Sequence, residues 1–207
     1  IYEKAITSKT NLMMVSHMIN ITGHILPIKK ICAMAHAKGV QVIVDGAHAF
    51  AHFQYSIDDL GCDYYAASLH KWLSSPLGAG ILYINKNRIK NLWPLLADGE
   101  KQLDKIKRLN HIGTHPVATD LTINDSIDYY EMIGAEKKEA RLRYLQNYWT
   151  SKVRNNPKII INTPTDQTKC CGIANVGIAG IKPSDVATRL MNEFKIFTVA
   201  FISNLPV

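Results

Sequence analysis

Two short apolar runs that end in polar residues constrain this chain more than any other feature. Gln41-Val42-Ile43-Val44 closes on Asp45-Gly46-Ala47-His48, and Asp63-Tyr64-Tyr65-Ala66-Ala67 closes on Ser68-Leu69-His70-Lys71-Trp72. Runs of this kind read as buried strands of a parallel sheet. In such a sheet the side chains that leave the carboxyl ends of the strands converge on one crevice, where ligands bind. Asp45 and Lys71 stand 26 positions apart. That leaves room for one connecting segment, so neighbouring strand tips can present both groups to one ligand.

The surrounding pattern completes an α/β fold. Leu12 to Val15 reads as a strand whose tip delivers Ser16, His17 and Asn20. Pro27 to Lys38 reads as an amphipathic helix, with Ile28, Ile31, Cys32 and Ala35 on one face and Gly39 as its stop. Strand, helix and strand make a βαβ unit with parallel neighbours. Ser75 to Gly80 is a turn and Gly80 to Ile84 a strand. Gly78-Ala79-Gly80 precedes a strand instead of opening a helix after one, which excludes a dinucleotide loop. A helix is expected over Asn85 to Leu96, stopped by Asp98-Gly99, and two more over Asp120 to Ile133 and Ala135 to Val153, parted at Gly134. Ile159 to Ile161, Gly172 to Val176, Ser184 to Phe194 and Ile196 to Val199 read as strand, strand, helix and strand of a smaller domain. The expected division is a large domain over 1–152 and a small α/β domain over 153–207, with the boundary near Ser151 to Pro157.

Composition narrows the function classes. A hydrophobic content of 47% excludes a disordered tail, and the net charge of +7 raises the question of an anionic partner. The basic clusters Lys101, Lys105, Lys107, Arg108 and Lys137, Lys138, Arg141, Arg143 are interleaved with Glu100, Asp104, Glu136 and Glu139. That is the pattern of solvated helix faces, so no nucleic-acid partner is expected. Four cysteines, Cys32, Cys62, Cys170 and Cys171, show neither a Cys-x-x-Cys pair nor a disulfide framework. A reducing compartment, and so a cytoplasmic protein, is expected. No apolar run approaches the roughly 18 residues of a membrane helix, so no membrane partner is expected either. The chain opens at Ile1 and is read as a piece of a longer protein that lacks both ends.

The strand-tip residues match the needs of pyridoxal 5'-phosphate. That cofactor takes an amine that bonds its aldehyde carbon, a carboxylate that keeps its pyridine nitrogen protonated, and donors for its phosphate. Lys71 can supply the first, Asp45 the second, and Ser68 with His70 the third. Lys71 sits just past a strand tip, where burial would favour its neutral, nucleophilic form. Each residue also has an ordinary reading: an Asp after a strand is commonly a turn residue and a Lys a solvated charge. His48 and His52 share a His-x-x-x-His spacing that suits zinc, but no Glu follows His48 and no third ligand is evident, so no metal is expected.

Four pieces in order carry a resemblance: Val15-Ser16-His17-Met18-Ile19-Asn20-Ile21-Thr22-Gly23, Val44-Asp45-Gly46-Ala47-His48, Ser68-Leu69-His70-Lys71-Trp72 and Ile112-Gly113-Thr114-His115-Pro116. Together they resemble the class V aminotransferase family of fold-type I pyridoxal phosphate enzymes, in its isopenicillin N epimerase-like branch. The resemblance implies part of a fold-type I large domain, mainly parallel with helices on both faces, followed by part of the smaller domain. It implies that Asn20 contacts the cofactor's phenolic oxygen or the substrate carboxylate, that His48 reaches the phenolic oxygen, and that Lys71 is catalytic. It also implies that Thr114 reaches the phosphate of a neighbouring subunit's cofactor, hence a homodimer with shared sites and an amino-acid substrate. His52 has no match and reads as a packing or surface histidine. Cys170-Cys171 does not resemble the cysteine loop of the family's sulfur-transferring members.

Overall fold

A computed structural model describes residues 1–96, 102–110, 113–115 and 117–201. The expected stop at Asp98-Gly99 lies outside the described residues, as do Ile112 and Pro116 of the fourth piece. The chain divides into two compact units, one of residues 1–18 and 26–138, the other of residues 19–25 and 139–207.

In the first unit a short helix α1 (Tyr2–Ala5) leads into β1 (Leu12–Ser16), α2 (Ile28–His36), β2 (Gln41–Asp45), α3 (Ile57–Leu60), β3 (Tyr64–Ser68) and β4 (Gly80–Ile84). The four strands lie in the order β1-β2-β3-β4; the first three are parallel and β4 runs antiparallel to β3. The orientation of β4 follows from chain length. The connection over 69–79 is shorter than the dozen or more residues that a parallel crossover takes.

Alternation along the strands separates the two faces. Val15, Val42, Val44, Tyr65 and Ala67 join Ile28, Ile31, Cys32 and Ala35 of α2 in one buried cluster. Each fully buried aliphatic side chain contributes about 1.5–3 kcal/mol, so this seam holds helix to sheet. The predicted helix face is the buried one. Gly39, at φ +72°, ends the helix in a left-handed conformation that other residues adopt at a cost. Asp45 and Ser68 belong to the opposite face, whose Met14 is exposed.

The amino ends of the strands meet at Asp63. Its buried carboxylate accepts from Val42 N at 2.7 Å, from His36 Nε2 at 2.8 Å and from Arg88 Nε at 2.7 Å. Burial by itself raises the pKa of this carboxyl; the bonds from Val42, His36 and Arg88 outweigh it and hold the group below its ordinary value.

After β4 the expected helix over Asn85 to Leu96 is a 3-10 helix over Lys86–Asn91. Pro94 disfavours helical backbone just ahead of it and supplies no N–H, so the turn stops at Leu92. Helices α4 (Ala118–Leu121) and α5 (Ile123–Ile133) follow, then α6 (Ala135–Val153) after Gly134.

In the second unit β5 (Ile159–Ile161) pairs antiparallel with β6 (Val176–Ile178), and α7 (Pro183–Phe194) follows. The strand expected over Gly172 to Val176 starts only at Val176. Just before it Asn175 takes one backbone bond, from Asn162 N to its carbonyl at 3.1 Å, while its own N–H goes to Thr163 Oγ1 at 2.8 Å. Further back Arg143 donates to the carbonyls of Gln167 and Cys170. Ile196 to Val199 is not a strand, because no ladder partner lies beside it among the described residues. Residues 19–25 join this unit through the Ile25 N to Lys169 O bond of 2.8 Å. Among the described residues no helix is long and apolar enough to cross a membrane.

Asp63→Asn removes the charge that two side-chain donors share. The expected loss is on the order of 2 kcal/mol in urea unfolding near neutral pH. Because the folded pKa of Asp63 is depressed, its contribution is complete above the unfolded value of 3.8 and fades as pH falls through the folded value. The difference between variant and parent should therefore shrink in acid.

Candidate active site

The carboxyl ends of β1, β2 and β3 lie together. Ser16 pairs with Asp45, Asp45 with Ala66, and Ser68 sits two residues further along β3. Beyond Asp45 the ladder persists for one more step, with His17 N donating to Asp45 O and Gly46 N to Ala66 O, both at 2.8 Å. Asp45 Oδ1 accepts from Ala47 N at 3.0 Å, a side-chain turn that starts the reversal. Gly46 is required by close approach: a Cβ there would overlap the phenol of Tyr65, which is fully buried and bonded to the hydroxyl of Tyr55.

From Gly46 the chain coils through Ala49, Phe50 and His52, and this turn presents His48. The segment after β3 is pinned by Leu69 and Leu73, which are buried with Ala79. Phe50 and Ala51 pack on the same cluster, as do Ile81 and Tyr130. Two turns anchored on one apolar cluster bring their polar residues together. Lys71 Nζ lies 3.1 Å from His48 Nε2. Two non-glycine residues with positive φ flank this contact, Ala51 at 57° and Ser74 at 65°; such conformations cost on the order of 1–2 kcal/mol each and concentrate at functional sites.

His48 is half-buried. Burial lowers its pKa first, the Lys71 charge lowers it further, and the Asp45 carboxylate acts in the opposite sense without cancelling them. The ring is therefore neutral at pH 7, and its Nε2 can accept from the Lys71 amine. Nδ1 of His48 and Nδ1 of His70 are buried without a hydrogen-bond partner. Lys71 itself is exposed, contrary to the burial expected for it, because it lies in the outward turn closed by the Ser74 N to Lys71 O bond. Ser68 and His70 are half-buried and Asp45 is exposed.

Asp45, His48 and Lys71 are thus assembled, with Ser68 and His70 on the strand end and loop that carry Lys71. Asn20 lies in the second unit, in an exposed position within the turn closed by the Gly23 N to Ile19 O bond. Thr114 is exposed, and no hydrogen bond among the described residues joins it to the other candidates. The two histidines of the zinc spacing have different partners, His48 the Lys71 amine and His52 the His48 carbonyl. His17 is a core histidine beneath the strand tips, edge-on to Phe53, Tyr55 and Tyr65, and burial pushes its pKa down to about 4. The four cysteines are buried. Burial pushes the thiols of Cys62 and Cys171 up to about 11 and that of Cys32 up to about 12, far from a ready nucleophile.

The model of the aminotransferase class-V family matches residues 1–200 of this chain. The chain belongs to the class-V aminotransferase family. The family is pyridoxal phosphate-dependent. Among its relatives, the isopenicillin N epimerase of Streptomyces clavuligerus is 31% identical over 93% of this chain and 52% of its own length. A probable cysteine desulfurase of Halalkalibacterium halodurans is 30% identical over 91% of this chain and 48% of its own. A cysteine desulfurase crystal structure from Escherichia coli superposes with a TM-score of 0.76 at 25% identity, over 90% of this chain and 48% of that one. The apo cysteine desulfurase of Thermococcus onnurineus gives 0.75 at 25% identity, over 91% and 49%. The chain spans about half the length of the curated relatives that it matches. These likenesses agree with the α/β fold, with its mostly parallel sheet, expected from the strand pattern.

Two outcomes follow from the geometry. Gly46→Ala should lower stability by about 1–3 kcal/mol, measured by thermal unfolding, because the fully buried Tyr65 phenol has to move. Lys71→Ala removes a charge that depresses the His48 titration, so the His48 midpoint, followed by NMR of the imidazole ring, should move upward.

Proposed function

We propose that this chain carries the cofactor-binding face of a pyridoxal phosphate-dependent enzyme that acts at Cα of an amino acid, as an epimerase-like enzyme or an aminotransferase. The observation that carries the reading is the meeting of His48 and Lys71 beside the Asp45 strand tip. The donor set suits the cofactor. An exposed carboxylate and an exposed amine stand at adjacent strand ends, and His48 and His70 each keep a buried ring nitrogen unpaired.

In this proposal Asp45 holds the protonated pyridine nitrogen, His48 faces the phenolic oxygen, and Ser68 with His70 binds the phosphate. Asn20 contacts the phenolic oxygen or the substrate carboxylate. Lys71 would hold the cofactor through its amine at the aldehyde carbon and would be the general base placed to take the Cα proton. The bound cofactor supplies an electron sink for the pair left at Cα. Thr114 completes the phosphate site of a second subunit, so the working form is a homodimer with shared sites. Residues 1–152 are assigned to the large domain and 153–207 to the small one.

Elimination of sulfur from cysteine is the second reading, supported by the desulfurase relatives at similar identity. The four cysteines of the chain lend that reading no ready nucleophile, since all four are buried and burial raises the pKa of each thiol.

The test is borohydride reduction of the protein, expressed with any flanking sequence its reading frame contains and supplied with cofactor, followed by peptide mass spectrometry. A pyridoxyl adduct on Lys71 is expected, and Lys71→Ala should lose turnover by 10²–10⁴-fold or more, on the order of a missing general base. A folded, cofactor-supplied protein without the adduct would overturn the enzyme reading in favour of a non-catalytic relative. Chiral analysis of the amino acid, with assays for keto acid and sulfide, separates the reaction types.

A further inference from the structure

The His48–Lys71 contact joins two turns, and the residues that lock those turns together are not among the groups assigned to the cofactor. His52 is 1% exposed. One edge of its ring faces its own turn: Nδ1 lies 2.8 Å from the His48 carbonyl oxygen and donates to it. Its face lies on the indole of Trp72, with ring centroids 3.5 Å apart and planes at 19°. Trp72 follows Lys71 directly in the chain, and its carbonyl accepts from Lys138 Nζ, which also lies 5.0 Å from the centroid of the Tyr130 ring. The indole Nε1 is buried without a hydrogen-bond partner, so the Trp72 ring is held by its face.

These contacts close a circuit. From the Lys71 backbone it runs to Trp72, across the stack to His52, through Nδ1 to the His48 carbonyl, and from the His48 ring back to the Lys71 amine. We propose that the stacked pair His52–Trp72 is a positioning device that holds His48 against Lys71. The pair acts through the backbones on either side, the His48 carbonyl on one and the Lys71-Trp72 peptide on the other.

The physical case rests on what the contact lacks by itself. Lys71 is exposed on a flexible four-carbon stem, and ordering such a side chain costs on the order of 2 kcal/mol of rotamer entropy. A single 3.1 Å contact to a neutral imidazole offsets little of that cost. Position must then come from the backbone, and Leu69, Leu73 and Phe50 fix the two turns on the apolar side only. The stack adds a tie between the residue bonded to the His48 carbonyl and the residue next to Lys71. Phe at position 72 keeps an aromatic face for the stack, whereas Ala removes it.

The inference deepens the proposed function, in which Lys71 is catalytic, and it is tested by a measurement that needs no cofactor. The charged groups that act on the His48 ring are Lys71 and Asp45, so the upward move of the His48 midpoint on Lys71→Ala reports whether amine and ring are together. That move is to be measured by NMR in the parent, Trp72→Phe, Trp72→Ala and His52→Leu backgrounds. It should persist in Trp72→Phe and vanish in Trp72→Ala and His52→Leu. His52→Leu keeps a buried apolar side chain and stands as the test if Trp72→Ala does not fold. An undiminished move in a folded Trp72→Ala or His52→Leu protein would show that the stack is core packing and nothing more.

A second readout is the rate at which borohydride traps the adduct on Lys71. Trp72→Ala should slow it by on the order of 10²-fold, the effect of a misplacement of about 1 Å, and Trp72→Phe should restore it. A Trp72→Ala protein that forms the adduct at the parent rate overturns the positioning role. Absence of the adduct in the parent itself overturns the enzyme reading and leaves the His48 measurement able to decide the positioning role, so the two failures are distinguishable.

Discussion

The carboxylate of Asp63 sets the register on which the site depends. It takes the Val42 N–H just before β3 begins, while Asp63 N donates to Val42 O, and the ladder then runs from Ile43 opposite Tyr64 to Asp45 opposite Ala66. A slip of one residue would carry Asp45 to the face filled by α2, since the side-chain period of a strand is two. A buried carboxylate without partners is costly, so the position is stable only where Val42 N, His36 and Arg88 can all reach it. That condition ties α2, β2, β3 and the turn after β4 together at the amino ends of the strands. The chemistry gathers at the other end, free of that task.

The division explains what could be read in advance. Strands and helices whose apolar periodicity is filled by local neighbours were legible: Leu12–Ser16, Ile28–His36, Gln41–Asp45 and Tyr64–Ser68 lie within a residue or two of the positions read from sequence. Two runs of the second unit were not. Ile196 to Val199 has strand composition but no ladder beside it among the described residues, and before Val176 the Asn175 N–H goes to the Thr163 hydroxyl instead of to a strand partner. Asp45 and Ser68 were legible as strand ends, and His48 and Lys71 as residues of the turns that follow them. Their mutual contact was not, since it is made by Phe50, Leu69 and Leu73, which look like any other core residues. His52 shows the same limit: its aromatic partner is twenty positions away in sequence and meets it only because two turns share a cluster.

Charge placement at the strand tips follows from the same arrangement. Asp45 uses one oxygen on Ala47 N, and Lys71 turns to His48, so carboxylate and amine are not spent on one another. A direct ion pair would leave neither group for a ligand. His48 can face both because it is uncharged: its burial and the Lys71 amine disfavour the imidazolium more than Asp45 favours it. A protonated ring here would repel the amine it touches, and a residue without a lone pair could not accept from it.

The backbone carries the cost of bringing these groups so close. Ala51 immediately precedes His52 and Ser74 immediately follows Leu73, and both adopt a left-handed conformation that disfavours any residue with a Cβ. At Ala51 the reversal lets Phe50 pack into the Leu69 cluster while the next residue turns its ring onto Trp72. At Ser74 it follows Leu73 into the same cluster while leaving Lys71 on the outside of the turn. Relaxing either turn towards ordinary backbone would swing an anchor out of the core or the stacked ring off its partner. Two strained residues thus persist because the buried contacts on each side of them over-determine the turn. Those contacts are the ones that bring the amine and the imidazole within 3.1 Å of each other.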